Sequence, residues 1–347
     1  MKKSILTIIK TVLPLLLGVY LIWFFFSSMS VSSKEQFYSA IKEANYFWLF
    51  LSVLFGWIAT VSRAIRWGYV IEPLGYKTPL WNRYHAVMIG YLINLTIPRA
   101  GEASRAAMLY RSDEVPFAKA FGTIVAERAV DLMMLAGIGL FTMYIGAGDF
   151  ELIWSEMITK FSGTPKEEGG FPWKYVVLGI LALGMAYLAY KYKKDEKFKT
   201  KIKEFITGLI GGLLSVFKSK NPGGYIFHSI AIWACYLIMF ALPFYALDQT
   251  SDFPVKGMLI GFIAGSIGII FTNGGIGTYP LLVGLVIAFY LKADYPSEAE
   301  GIGNALGLLI WTSQTLMMII MGLVSLVMLP KNHNEKNDKT AEAISED

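Results

Sequence analysis

Glu127, Arg128 and Asp131 sit well inside an apolar stretch, residues 117–145. At the centre of a helix in lipid each such charge costs roughly 2.5–3.5 kcal/mol, so these side chains must face protein rather than lipid. Helical geometry allows it: Glu127 and Asp131 are i,i+4 on one face, and Arg128 reaches Asp131 at i,i+3. Just upstream, Arg99, Glu102 and Arg105 supply complementary partners, with Glu102 and Arg105 also at i,i+3. A helix starting near Gly101 would aim its free N–H groups at the same place. The run Asn273-Gly274-Gly275-Ile276-Gly277 offers a second set of exposed N–H donors, and Pro280 suits the first turn of the helix beyond it. Arginines combined with helix N-termini make an anion site matched to phosphate. The candidate ligands of a phosphate headgroup are therefore Arg99, Gly101, Arg105, Arg128, Asn273, Gly274, Gly275 and Gly277. Glu102, Glu127 and Asp131 would balance the arginines in the empty site, and one of them could carry a coupling proton. A structural ion-pair clamp with no ligand is the competing reading. Buried pairs are a poor way to gain stability, which favours the ligand.

The elements that position these groups follow from composition. The chain has 347 residues, 55% apolar and 16% charged, with a mean hydropathy of +0.50. A soluble domain of this size carries about 25% charged residues, so the deficit points to lipid as the solvent. It excludes a disordered chain and a nucleic-acid binder. Cys235 is the single cysteine, which excludes a disulfide scaffold. A bilayer core of ~30 Å needs about 20 apolar residues per helix. Six segments meet or approach this: 11–26, 46–62, 117–145, 173–190, 225–247 and 302–329. Lys2, Lys3 and Lys10 place the N-terminus in the cytoplasm, Arg63, Arg66, Lys77 and Arg83 mark a second cytoplasmic stretch, and the lysine-rich run 191–203 marks a third. Asp149, Glu151, Glu156, Glu167 and Glu168 suit the outside. The polar tail, 331–347, returns to the cytoplasm as a disordered segment.

Two apolar stretches remain, both broken in the middle. Residues 85–98 run straight into Arg99-Ala100-Gly101-Glu102, and residues 257–271 break at the glycine run and resume at 280–291. Irregular backbone at membrane depth is tolerated only when buried in protein or lining a wet cavity. Both stretches therefore read as re-entrant helical hairpins. Each lies between two spans, and by charge the first enters from the cytoplasm and the second from outside. Span, hairpin and span, repeated upside down, form an inverted-topology repeat, which places substrate between the interrupted segments of the two halves. The expected architecture is an all-α polytopic protein of about six transmembrane helices plus two re-entrant hairpins. It forms a single membrane domain, 1–330, with a first half to about 190, a basic linker and amphipathic surface helix at 191–224, and a second half from 225.

His85, His228 and His333 lack metal-ligand spacing, and no nucleotide fingerprint or nucleophile elbow occurs. Neither a cofactor, a metal nor an enzyme activity is expected. Asn94, Asn304 and Gln314 read as interhelical hydrogen-bond donors and acceptors rather than ligands.

The segment from Asn94 through Pro98-Arg99-Ala100-Gly101-Glu102 to Arg105, followed by Glu127-Arg128-Ala129-Val130-Asp131, resembles the lysylphosphatidylglycerol synthase transmembrane family of flippase-like membrane proteins. The second glycine turn looks like that family's. The resemblance implies a bacterial cytoplasmic-membrane protein moving lipids between leaflets, without the synthase activity of the family's name. It also implies roles for Arg99, Gly101, Glu102, Glu127, Arg128 and Asp131. The second half departs from the pattern at Thr272, at Tyr279-Pro280 and at 311–314, so the first half carries most of the charge. The expected function is translocation of an anionic or phosphate-bearing envelope lipid, with a polyprenyl-phosphate-linked lipid among the candidates. Partners in view are membrane lipids, a second copy of the chain and envelope-synthesis proteins. The alternatives are a membrane scaffold recruiting a partner through its basic segment, and a proton-coupled carrier of a small anion.

Overall fold

Asn45 starts the first long helix: its side-chain oxygen accepts the Phe47 N–H at 3.1 Å, satisfying one of the free donors of the first turn. The same economy recurs at Asn221, whose side chain accepts the Gly224 N–H at 2.8 Å, with Pro222 in the first turn. A computed structural model describes residues 31–97, 99–162 and 221–330, together with isolated positions at 23, 27 and between 191 and 200. The expected span 173–190 and the tail 331–347 lie outside the described residues, as do nearly all of the span 11–26 and most of the basic linker and surface helix 191–224.

Among the described residues all regular structure is helical. The chain runs α1 (Val31–Glu43), α2 (Tyr46–Ile71), α3 (Leu80–Thr96), α4 (Gly101–Asp113), α5 (Phe117–Ser162), α6 (Pro222–Ala241), α7 (Val255–Phe271), α8 (Thr278–Leu291) and α9 (Ala299–Met328). Among the described residues four helices are long and apolar enough to cross a membrane: Tyr46–Leu74, Phe117–Ile153, Pro222–Ala246 and Ala299–Met328. This is a membrane protein. The shorter apolar helices α7 and α8, at 17 and 14 residues, fall below the length a bilayer core requires.

Helices α3 and α4 pack on each other as one hairpin, and α7 and α8 as another. The direction of each helix follows from its contacts. Ser52 near the start of α2 donates to the Met239 carbonyl near the end of α6, while Ser62 meets His228 near the start of α6, so α2 and α6 are antiparallel. His85 of α3 bonds Ser325 of α9, and Leu92 lies against Gly322, again antiparallel. In the same way Asp149 of α5 pairs with Lys256 of α7, and Ile260 lies against Gly146. The first hairpin thus rests through α3 on α9, and the second packs through α8 on the same helix, with the end of α5 against its base. The first hairpin is rooted at one end of the molecule and the second at the opposite end. Their turns meet between: a Cβ on Gly274 would lie 2.5 Å from Leu95 Cδ2. Gly274 holds φ +60, Gly275 +75 and Gly277 +76, a turn that only glycine makes cheaply.

Helix α5 runs 46 residues and kinks at Gly146, where φ is −113 and ψ is 16. Past the kink, Asp149 meets Lys256 and accepts from Tyr290, and Lys292 pairs with Glu156 at 2.5 Å. The end of α5 therefore grips both legs of the second hairpin. Helix α1 packs its Phe37 and Ala40 into the core beside α9, an element that hydropathy alone did not mark.

Candidate functional site

The charged residues gather where α2, α4, α5 and α6 meet. Glu127 and Asp131, one turn apart on α5, turn into the protein with 1% and 6% of their surface exposed. Facing them are Arg63 and Arg66 of α2, themselves one turn apart. Arg63 Nη1 donates to Asp131 Oδ2 at 2.8 Å, and Arg66 Nη2 lies 2.9 Å from Asp131 Oδ1. Arg66 Nε donates to Glu127 Oε1 at 3.2 Å, and Arg105 Nη2 of α4 lies 2.7 Å from Glu127 Oε2. The second half closes the site with α6. There Ser229 Oγ accepts from Arg66 Nη1 at 3.2 Å, and the Tyr236 hydroxyl accepts from Arg63 Nη2 at 3.3 Å.

Aromatic faces line the guanidinium groups. Arg105 Cζ sits 3.7 Å above the centre of the Trp67 ring, and Arg66 Cζ is 5.4 Å from the Tyr225 ring. Trp67 is fixed in turn by its indole N–H, which donates to Thr123 Oγ1 at 2.9 Å. A desolvated cation over an aromatic face gains about 2 kcal/mol, which softens the burial of these arginines without replacing a counter-charge. Three guanidinium groups share two carboxylates. Among the described residues the Nε atoms of Arg63 and Arg105 are buried with no hydrogen-bond partner, while Arg66 Nη2 with Asp131 Oδ1 and Arg105 Nη2 with Glu127 Oε2 meet as ion pairs without a hydrogen bond.

Beside this core, Arg128 of α5 pairs with Glu102 of α4, and Arg128 keeps 52% of its side chain exposed. Two parallel ion pairs, one buried and one at the surface, therefore hold α4 on α5. The pairings differ from those that helical spacing suggested. Arg128 meets Glu102 rather than Asp131, and Arg105 meets Glu127 rather than Glu102, because packed neighbours lie closer than residues along one helix. Arg99 is exposed in the turn before α4, with φ +60, and makes no ion pair among the described residues. The Gly101 N–H, expected to be free, donates to Asn94 Oδ1 at 3.3 Å. Asn94 therefore ties the two legs of the first hairpin, and Gln314 ties α9 to α2 by donating to Ser52 Oγ at 2.9 Å.

The second glycine turn lies apart from the arginines, with no hydrogen bond or ion pair to them among the described residues. Its Gly274 carbonyl accepts from Trp311 Nε1 at 2.8 Å, and Thr272 Oγ1 bonds Thr278 Oγ1 at 2.6 Å. Asn273 is buried, and its Nδ2 has no partner. The charge cluster sits on the first hairpin's side of the meeting turns. At 1.5 Å per residue, Arg66 is about 8 Å from the end of α2 and Arg105 about 12 Å from the end of α4.

Arg63 and Arg66 are the residues that the sequence reading misplaced. Charge bias groups them with Lys77 and Arg83 as a cytoplasmic stretch, yet the three arginines are buried, and of that group Lys77 alone is exposed. Arg83 donates to the carbonyls of Ala64 and Thr78. The signal that α2 continues past Ser62 was present in Trp67, Val70 and Ile71, which prolong the helical apolar period beyond the arginines.

Comparison with known proteins bears on what this arrangement serves. A family model described as the lysylphosphatidylglycerol synthase TM region matches residues 11–322. UPF0104 membrane protein MJ1595 of Methanocaldococcus jannaschii is 28% identical over 123 residues, covering 35% of this chain and 37% of its own. Glycosyltransferase AglD of Haloferax volcanii is 25% identical over 250 residues, covering 63% of this chain and 39% of its own. The chain thus spans about two fifths of the length of these curated relatives. No solved structure matches.

Proposed function

Because the chain belongs to the lysylphosphatidylglycerol synthase TM-region family, we propose that it is a transporter, not an enzyme, carrying an anionic or phosphate-bearing lipid between membrane leaflets. The observation that carries this reading is the buried cluster of Arg63, Arg66, Arg105, Glu127 and Asp131, built from helices of both halves. Charges inside a membrane domain are costly and mark substrate paths. Guanidinium groups recognise phosphate oxygens with paired N–H donors. Arg99 and Arg128, exposed at the turn and beside the cluster, would meet the headgroup first. Arg105 would receive it, and Glu102, Glu127 and Asp131 would hold the arginines while the site is empty. Asn273, Gly274, Gly275 and Gly277 would then act from the second hairpin once the halves move.

In this reading the two hairpins are re-entrant and enter from opposite sides, as an inverted repeat requires. The end bearing Lys77 and the start of α6 faces the cytoplasm, since the lysine run leads into it. Asp248, Asp252, Asp294, Glu298 and Glu300 lie at the other end. The membrane is the cytoplasmic one, and the partners are its lipids. AglD, named a glycosyltransferase, is compatible with a role near lipid-linked chemistry, which this chain would serve by moving the lipid.

The test is leaflet translocation in proteoliposomes containing the full chain, run on phosphatidylglycerol, an aminoacylated lipid, a polyprenyl phosphate and a neutral lipid. Movement of one or more phosphate-bearing lipids, lost in Arg128→Ala with insertion intact, is the expected result. Equal movement of the neutral lipid, or none of any lipid with and without an imposed proton gradient, would refute it.

A further inference from the structure

The charge count of the cluster specifies its ligand further. Arg63, Arg66 and Arg105 are all buried, and so are Glu127 and Asp131. Every oxygen of the two carboxylates already faces a guanidinium nitrogen at 2.7 to 3.2 Å. The other groups bonded to the guanidinium ions, Ser229 and Tyr236, are neutral hydroxyls. The nearby Arg128–Glu102 pair is balanced within itself. Among the described residues one buried positive charge therefore has no counter-charge, and the Nε donors of Arg63 and Arg105 have no acceptor. Arginine does not shed its proton in proteins, so the shortfall cannot be met by ionisation. Trp67 and Tyr225 offer ring faces, which carry no net charge.

We propose that this cluster binds a ligand bearing one negative charge, a phosphodiester where the ligand is a lipid headgroup, which supplies the missing counter-charge to Arg63 and Arg105. The inference rests on the reading of the cluster as a ligand site and adds its valency: a phosphodiester fits, whereas a phosphomonoester, which carries close to two charges above its second pKa near 6, overshoots. A neutral lipid leaves the donors unmet. Chloride has the right valency and is the free-anion source of the same chemistry.

Binding to the purified full chain in detergent, followed by thermal stabilisation and native mass spectrometry at about pH 9 where a phosphomonoester is doubly charged, tests the proposal apart from transport. Phosphatidylglycerol should bind roughly tenfold more tightly than phosphatidic acid, a difference of 1.4 kcal/mol, and diacylglycerol should not compete. Equal or tighter binding of phosphatidic acid by the wild-type chain overturns the proposal without need of any variant. Arg105→Gln balances the cluster and should weaken phosphatidylglycerol binding by about 30-fold or more. The double variant Arg105→Gln/Glu127→Gln restores a single positive excess and should regain binding to within about tenfold of wild type. A double variant that folds yet stays as weak as Arg105→Gln overturns the charge count. Chloride that phosphatidylglycerol fails to displace upholds the valency and assigns the site to a free anion. Charge-selective binding without leaflet movement sinks only the transport reading, and leaflet movement indifferent to the headgroup's charge sinks only this one.

Discussion

Among the described residues Arg66 has the most enclosed charge, paired with Glu127 and Asp131 and bonded to Ser229 with no exposed surface. Removing it leaves two carboxylates buried against one another with fewer partners. Arg66→Met should therefore destabilise the protein by about 3–5 kcal/mol, read as a lowered unfolding midpoint in detergent. Arg99 presents the opposite case. It occupies the left-handed region at φ +60, where a non-glycine residue costs of order 1 kcal/mol, and it forms no ion pair among the described residues. Arg99→Gly should raise the melting temperature while lowering translocation; a fall in both would mean that the side chain is structural. At this scale the sequence was informative where a charge broke an apolar run. Glu127 and Asp131 stood out for that reason, and Arg105 as a nearby complement to them. Arg63 and Arg66 did not, because they lie in the last turns of α2, where a buried arginine and a membrane-edge arginine look alike. Which carboxylate meets which arginine depends on helix packing, and residue spacing along a single helix pointed to the wrong partners.

The helices owe their close approach to small residues. A Cβ added to Gly303 of α9 would lie 2.5 Å from the Gly284 carbonyl oxygen and 2.9 Å from the Ala288 nitrogen, both backbone atoms that cannot swing aside. Gly303→Ala should cost about 1–3 kcal/mol by prising α8 from α9. At Gly122, where nothing lies within 4 Å, the same change should be neutral or mildly stabilising. Comparing the two unfolding midpoints separates packing from helix propensity. The hairpins were legible as interrupted apolar segments because Gly274, Gly275 and Gly277 announce a break. Helix α1 was not, since its few buried residues, Phe37 and Ala40, are scattered through a polar stretch. The long continuation of α5 beyond Ile145 was also missed. Gly146 and the carboxylates after it read as a loop, whereas the structure carries the helix through a kink and uses Asp149 and Glu156 as anchors.

At the scale of the whole molecule, the two hairpins are rooted at opposite ends and both pack on α9. The first leans on α9 through α3, and the second on α9 through α8, with the end of α5 at its base. The order of elements was readable from sequence. Their shared packing on α9 was not, because it rests on close backbone approaches such as Gly303 against Gly284, which no periodicity marks. The arrangement places Lys77 and Asp294, both exposed, at opposite ends. In a Cys235→Ala background, Lys77→Cys and Asp294→Cys should react with an impermeant thiol reagent from opposite sides of a sealed vesicle; labelling from one side would contradict the inverted arrangement. The most direct measurement of the central claim is the rate at which fluorescent phosphatidylglycerol changes leaflet in proteoliposomes, for wild type beside Arg105→Gln. The account predicts movement well above that of protein-free vesicles for wild type and none above it for Arg105→Gln inserted to the same level. Identical rates for the two proteins would contradict it.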